Sequence, residues 1–254
     1  MLAALVAACS SGPAGTPPNT PVGPGAAPEQ VDPYQVTWNP TLLESVGPEA
    51  SPTPALSTLD ERLSQAWDTP IPVTNGGRTV EVGSCRALLE LDDAYEPVVL
   101  SDFNFYQSRK ANCRAAALLA RARPSKSSFV RAFSLDAEAP RRLPATLAWG
   151  MSQDYEQRIA EASAHGKSWN DIEAVRLLQQ VSRDEARYDV DGARQTLTIE
   201  GRGDVDGDGI EDLVLLTQGS LTEGTLKRSK VFLLTRKSDG DQPLPELPLD
   251  LKPP

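Results

Sequence analysis

The chain has 254 residues, a formal charge of −10 and a hydrophobic content of 39%. That acidic balance argues against general nucleic-acid binding, and no stretch approaches the roughly 18 apolar residues that a membrane-spanning helix needs. Eleven of the 22 prolines fall before residue 55 and the first cationic side chain is Arg62, which leaves roughly 180 to 190 residues for one globular domain with a single core.

In chain order, residues 1–9 (MLAALVAAC) form the one compact apolar run, about the length of a signal-peptide core and too short to cross a membrane. Residues 10–56 are proline-rich and nearly uncharged, the composition of an extended tether. The first 28 residues are expected to be disordered. Within the tether, Tyr34, Trp38, Leu42 and Leu43 offer apolar groups that can dock on a domain.

The globular part is expected over 57–240. It opens on TLDERLSQAW, where Thr58 and Glu61 stand in capping-box relation ahead of a short helix. IPVTNGGRTVEV reads as a hairpin around Asn75-Gly76-Gly77, and residues 86–91 are ambiguous between helix and strand. The pattern predicts a helix over about 102–122, capped by Ser101, striped by Phe103, Tyr106, Cys113, Ala117 and Leu118, and ended by Pro124. Two more helices are expected, at about 152–164 (stopping at Gly166) and 169–184.

From residue 186 the character changes. A hairpin across Asp191-Gly192 precedes DLVLLTQ and SKVFLLTR, near-continuous apolar strands of the kind covered on both faces. Residues 241–254 are again proline-rich and read as a loose tail. The expectation is an α+β fold, a helical N-terminal half packed on a C-terminal antiparallel β-meander.

Cys9 follows Val6-Ala7-Ala8 and precedes Ser10-Ser11-Gly12. This resembles the lipobox of bacterial lipoproteins, which implies that Cys9 is lipidated and anchors the chain to a membrane. Ser10, rather than Asp, in the next position implies the outer membrane, with the domain facing the periplasm or the cell surface. No Lys or Arg precedes the apolar run, which points to a start codon upstream or a truncated chain. The plainer alternative is an apolar N-terminus with a chance cysteine.

With Cys9 assigned to a lipid, Cys85 and Cys113 remain as a pair. In an oxidising compartment they read as a disulfide; two buried free thiols are the alternative, and two cysteines alone are too few for a structural zinc site.

Residues 204–212 read DVDGDGIED. A hard cation wants six to eight oxygens, and alternate residues of a tight glycine-containing loop can turn their carboxylates to one centre. In EF-hand counting Asp204, Asp206 and Asp208 take positions 1, 3 and 5, Gly209 position 6, Ile210 position 7 through its carbonyl, and Asp212 position 9. Position 12 is Leu215 and no helices flank the loop, so it is not an EF-hand. It is similar instead to the DxDxDGxxD calcium loops of FG-GAP and VCBS repeats, which lie between two strands and whose last aspartate, here Asp212, completes the coordination. Only one copy occurs, so the resemblance implies a structural calcium and neither a propeller nor an activity. Without an ion, four such carboxylates repel. A solvated acidic turn held by Asx hydrogen bonds is the alternative.

The only histidine is His165, in SAHGKSW, and a surface position at a helix end accounts for it. No GxSxG, HExxH or phosphate-binding glycine loop occurs. Arg109 to Arg142 hold nine Lys/Arg against two acidic residues. They form either a docking face for an anionic partner, headgroup or cell-wall polymer, or a solvated helix face; the nearby aromatics read as core. The sequence therefore points to a lipid-anchored, calcium-stabilised envelope protein with a binding or structural role and no catalysis. One rival is a periplasmic inhibitor or immunity-type protein gripping a protein partner. The other is a hydrolase, which several carboxylates gathered away from the acidic loop, or a deep pocket around His165, would favour.

Overall fold

The computed structural model describes residues 34–46, 56–150 and 152–249. The apolar run at 1–9 with Cys9, the expected disorder of the first 28 residues, and the last five residues lie outside the described residues. The elements run β1 (Thr37–Trp38), α1 (Thr41–Val46), α2 (Leu56–Ser64), β2 (Ile71–Asn75), β3 (Arg78–Val82), α3 (Cys85–Leu89), β4 (Glu96–Pro97) and α4 (Phe103–Arg121). Then come α5 (Ala139–Arg142), α6 (Gln153–Ala164), α7 (Trp169–Ile172), β5 (Arg176–Gln180), β6 (Glu185–Val190), β7 (Ala193–Gly203), β8 (Asp212–Leu221), β9 (Lys227–Leu234) and β10 (Glu246–Leu247). All ladders between these strands are antiparallel, so the fold is mixed α+β.

The main sheet has seven strands in the order β10-β9-β8-β7-β6-β5, with β1 also paired to β7. The near-continuous apolar runs of β8 and β9 are buried on both faces. Val214, Leu216, Val231 and Leu233 enter one core with α4 and the small sheet, whereas Leu213, Leu215, Phe232 and Leu234 enter a second. That second core is closed by Val130, Leu135, Leu143, Trp149 and Trp169. A strand with side chains alternating into two cores has no polar face to present.

The chain before residue 186 is not a helical half: β2, β3 and β4 form a second, three-stranded sheet within it. The expected helix over 169–184 is also corrected. Only α7 is helical, and Arg176–Gln180 pair with β6 as an edge strand, with Arg176 reaching Asp189 at 2.8 Å. Open backbone edge on β6 overrode a helical apolar spacing, and Leu178 and Val181 are left exposed. Ser101 does not cap α4; a 3-10 turn over Leu100–Asp102 leads into it. Thr58 lies inside α2, which begins at Leu56. Helix α6 fits its expected bounds, with Ser152 Oγ accepting the Tyr155 N–H at 3.3 Å.

Two stretches read as tether and tail are packed. Thr37–Trp38 pair with Arg202 and Gly201 of β7, and Leu42 and Val46 are buried in the first core. The close approach requires glycine on β7: a Cβ at Gly201 would meet Leu119 Cδ2 at 2.4 Å and the Thr37 carbonyl at 2.5 Å. The folded part therefore starts before residue 57. At the other end Leu244 is buried, its N–H donates to the Arg142 carbonyl at 2.8 Å, and β10 extends the main sheet. Proline-rich composition did not prevent either segment from finding an apolar seat.

Cys85 at the start of α3 and Cys113 in the middle of α4 form a disulfide, both cysteines fully buried. Closing a loop of that length is worth about 3.5 kcal/mol in the chain-entropy account.

Candidate metal loop and carboxylate cleft

The acidic loop joins β7 to β8, whose ends Gly203 and Asp212 are cross-strand partners. The two strands fix its mouth. The segment after α4 straps its side: Arg123 and Asp204 exchange backbone hydrogen bonds at 2.8 and 2.9 Å, and Lys126 N–H donates to the Gly209 carbonyl at 2.8 Å. Gly207 and Gly209 both have φ of +86°, a left-handed conformation that bends the loop inward.

Asp204, Asp206 and Asp208 each present one carboxylate oxygen within 4.8 Å of the others. The loop backbone orients them. Asp204, nearly buried, accepts the Gly207 N–H at 2.7 Å and the Gly209 N–H at 3.0 Å; Asp206 accepts from Asp208 N–H at 3.0 Å, and Asp208 from Ile210 N–H at 2.8 Å. An all-oxygen donor set of carboxylates suits a hard cation such as calcium.

Asp212 is not in this group of three. Fully buried at the loop's base, it accepts the Val205 N–H at 3.0 Å through Oδ2, and its Oδ1 has no partner among the described residues. Burial pushes its carboxyl up to about 6. Ile210 is half-buried and bridged to Ser127.

Two residues that the motif did not reveal complete the surroundings. Glu211 is fully buried and held by Ser128 Oγ and Arg131, both at 2.7 Å, which locks the strap to β8. Lys237, 29 positions beyond Asp208 in the chain, reaches its Oδ2 at 2.9 Å. Burial works to raise the Asp208 carboxyl, but Lys237 and the Ile210 N–H outweigh it and hold Asp208 below the usual carboxylate range.

A second carboxylate site lies away from the loop. Glu200, on β7 where the β7–β8 register shifts, and Glu185 of β6 line a polar cleft of about 310 Å³ with Asn39, Asn112, Thr198 and Gln218. Glu200 is 4% exposed and its Oε2 has no partner among the described residues. Burial, with the Glu185 charge adding to it, pushes its carboxyl up to about 7. The period of the strand places Thr196, Thr198 and Glu200 on one face, but nothing local in the sequence marks the cleft that α4 and the β1–α1 connection close over them.

His165 is exposed at the C-terminal end of α6, its Nδ1 2.7 Å from the Glu161 carbonyl. Several cations of the basic segment 109–142 are engaged in ion pairs. Arg131 pairs with Glu211, Arg142 with Asp136, Arg141 with Glu138, and Lys110 and Arg114 with Asp93. Of its aromatics Tyr106 and Phe133 are core, as expected, while Phe105 is exposed with Arg109 5.2 Å from its ring. Among the described residues no helix is long and apolar enough to cross a membrane. No protein-family model, curated protein or solved structure matches the chain.

Proposed function

We propose that this chain is a bacterial lipoprotein, anchored through Cys9 to the outer membrane, whose α+β domain is stiffened by one structural calcium ion and serves in binding or envelope structure rather than catalysis. The observation that carries the calcium reading is the gathering of Asp204, Asp206 and Asp208 in a strand-to-strand loop above a buried aspartate, Asp212, with one oxygen unpaired. Asp204, Asp206 and Asp208 would hold the ion, with the Ile210 carbonyl and Asp212 closing the set by small shifts. The resemblance to FG-GAP and VCBS loops supports the same assignment. The buried disulfide accords with an exported chain, and the lipobox-like VAAC supplies the anchor.

Titration calorimetry with calcium tests the ion. One calcium per chain is expected, with binding abolished by Asp206→Ala and Asp208→Ala together; heat unchanged by that double variant contradicts the assignment. Mass spectrometry of membrane-extracted protein tests the anchor, since a lipid on Cys9 must vanish in Cys9→Ala.

A second reading, hydrolysis, is favoured by the carboxylates away from the loop. Glu200, whose carboxyl burial pushes up to about 7, would donate a proton, and Glu185 across the cleft would be its partner carboxylate. Glu200→Gln abolishing turnover of a substrate that the chain cleaves would establish it. A periplasmic inhibitor or immunity-type role would show as copurification of one specific protein.

A further inference from the structure

Among the described residues, β10 pairs with only Leu233 and Leu234 of the outer edge of β9. Beside the uncovered length a cleft of about 470 Å³ opens, walled by Lys110 and Arg114 of α4 and by Arg228 and Lys230 of β9. Among the described residues Asp93 and Glu246 are the acidic groups lining it, so cations outnumber carboxylates there in a chain of net charge −10.

The four cations are not equally engaged. Asp93 pairs with Lys110 at 2.8 Å and with Arg114, and the nearly buried Lys110 also lies 5.7 Å from the Tyr106 ring. These contacts fix the α4 wall. Glu246 is turned to the Thr146 hydroxyl at 2.6 Å. Arg228 touches the Gly150 carbonyl at 3.4 Å and Glu156 at 3.5 Å, long contacts that an incoming anion can replace. Lys230 has no ion pair or side-chain hydrogen bond among the described residues. Although Lys230 is exposed, desolvation and then the adjacent Arg228 lower its ammonium below the usual range, while Glu156 and Glu246 act to raise it.

Cations on an edge strand can serve merely to repel a second edge. That role explains Arg228 and Lys230 but not the cationic wall that α4 sets opposite them. Four cations face Asp93, Glu246 and the Glu156 that touches Arg228, which leaves one net positive charge at the cleft. A phosphate group is an anion that Arg forks and Lys ammonium ions bind.

We propose that this edge cleft binds a phosphate group, with Arg114, Arg228 and Lys230 as its direct charged contacts and the Asp93-held Lys110 as its rear wall. The phosphate belongs either to a soluble phosphomonoester or to a lipid headgroup, and the cleft chemistry is the same for both. The assignment does not depend on the calcium loop.

The test uses the full chain carrying Cys9→Ser, so that no lipid anchor contributes. Glycerol 3-phosphate is titrated by calorimetry at low salt. In parallel the protein is sedimented with phosphatidylcholine vesicles, with and without phosphatidic acid. Binding in one arm is expected, the soluble arm identifying a free ligand and the phosphatidic acid arm a headgroup. It should weaken at least tenfold in Arg228→Gln/Lys230→Gln and stay unchanged in Arg176→Gln on the opposite sheet edge. Should the double variant unfold by circular dichroism, the exposed single change Lys230→Gln gives the same reading. No binding in either arm, equal binding by the variants, or an equal loss in Arg176→Gln each overturns the proposal.

Discussion

The acidic loop and the Glu185–Glu200 cleft both gather carboxylates on β7 and its neighbours, yet they solve the problem of negative charge in opposite ways. In the loop, Asp204, Asp206 and Asp208 accept backbone N–H groups, and Lys237 adds a cation. Asp208 is held below the usual carboxylate range, and all three leave oxygens facing a common centre. In the cleft, Glu200 has an oxygen without a donor and a like charge nearby, and its carboxyl is pushed up to about 7. One arrangement orients carboxylate oxygens with donors; the other buries a carboxyl oxygen without one. Carboxylate count alone does not separate the two, but donor count does.

The contrast can be broken most forcefully at Asp204. Replacing it by Ala leaves the Gly207 and Gly209 N–H groups without their acceptor. At about 1 kcal/mol for each hydrogen bond lost to N–H groups that water can reach, urea unfolding should show a loss of about 2 kcal/mol in chelator, and about 2.7 kcal/mol more in calcium at a hundredfold excess over its dissociation constant. A loss below about 1 kcal/mol would mean that the loop backbone is not organised by this side chain.

Glu200 should give the next largest effect, through pH. Its folded carboxyl lies above its unfolded value of 4.5, at about 7. Its contribution to stability is therefore fully present below pH 4.5 and is lost as pH rises through 7, by about 3 kcal/mol in all. Glu200→Gln should remove that slope, so the two unfolding curves converge near pH 4 and separate above pH 7, the variant being the more stable. Parallel pH profiles would show that Glu200 ionises freely in the fold.

Lys237→Gln should have the smallest effect on stability, leaving the urea midpoint almost unmoved, because the ammonium is exposed and the pair is screened. It should nevertheless tighten calcium binding several-fold in a titration, since Lys237 occupies an oxygen of Asp208 that an ion would use. Weaker calcium binding in the variant would instead make Lys237 a support of the site.

Much of this contrast could not be read in the sequence. DVDGDGIED announces the gathering of its carboxylates because the aspartates and turn glycines lie within nine residues. The hairpin at Asp191-Gly192, the long helix α4 and the doubly buried β8 and β9 were legible for the same local reason: spacing of apolar groups over a single element. Glu200 and Glu185 meet only through the β6–β7 pairing and a register shift near residue 200. Lys237 meets Asp208 only after β8 and β9 have turned back on themselves. The segment 176–180 was misread because its fate rests on the open edge of β6, whereas the docking of residues 34–46 was legible in their apolar side chains but not the seat that β7 and α4 offer them.

The account stands most directly on thermal unfolding of the protein in saturating calcium and then in excess chelator, repeated with Asp206→Ala and Asp208→Ala together. An ion present at a hundredfold excess over its dissociation constant stabilises by about 2.7 kcal/mol. The midpoint should therefore fall on chelation in the unaltered protein and stay fixed in the double variant. Identical midpoints in calcium and chelator would reduce the loop to an acidic turn held by its own backbone, and the calcium-stiffened domain would be contradicted.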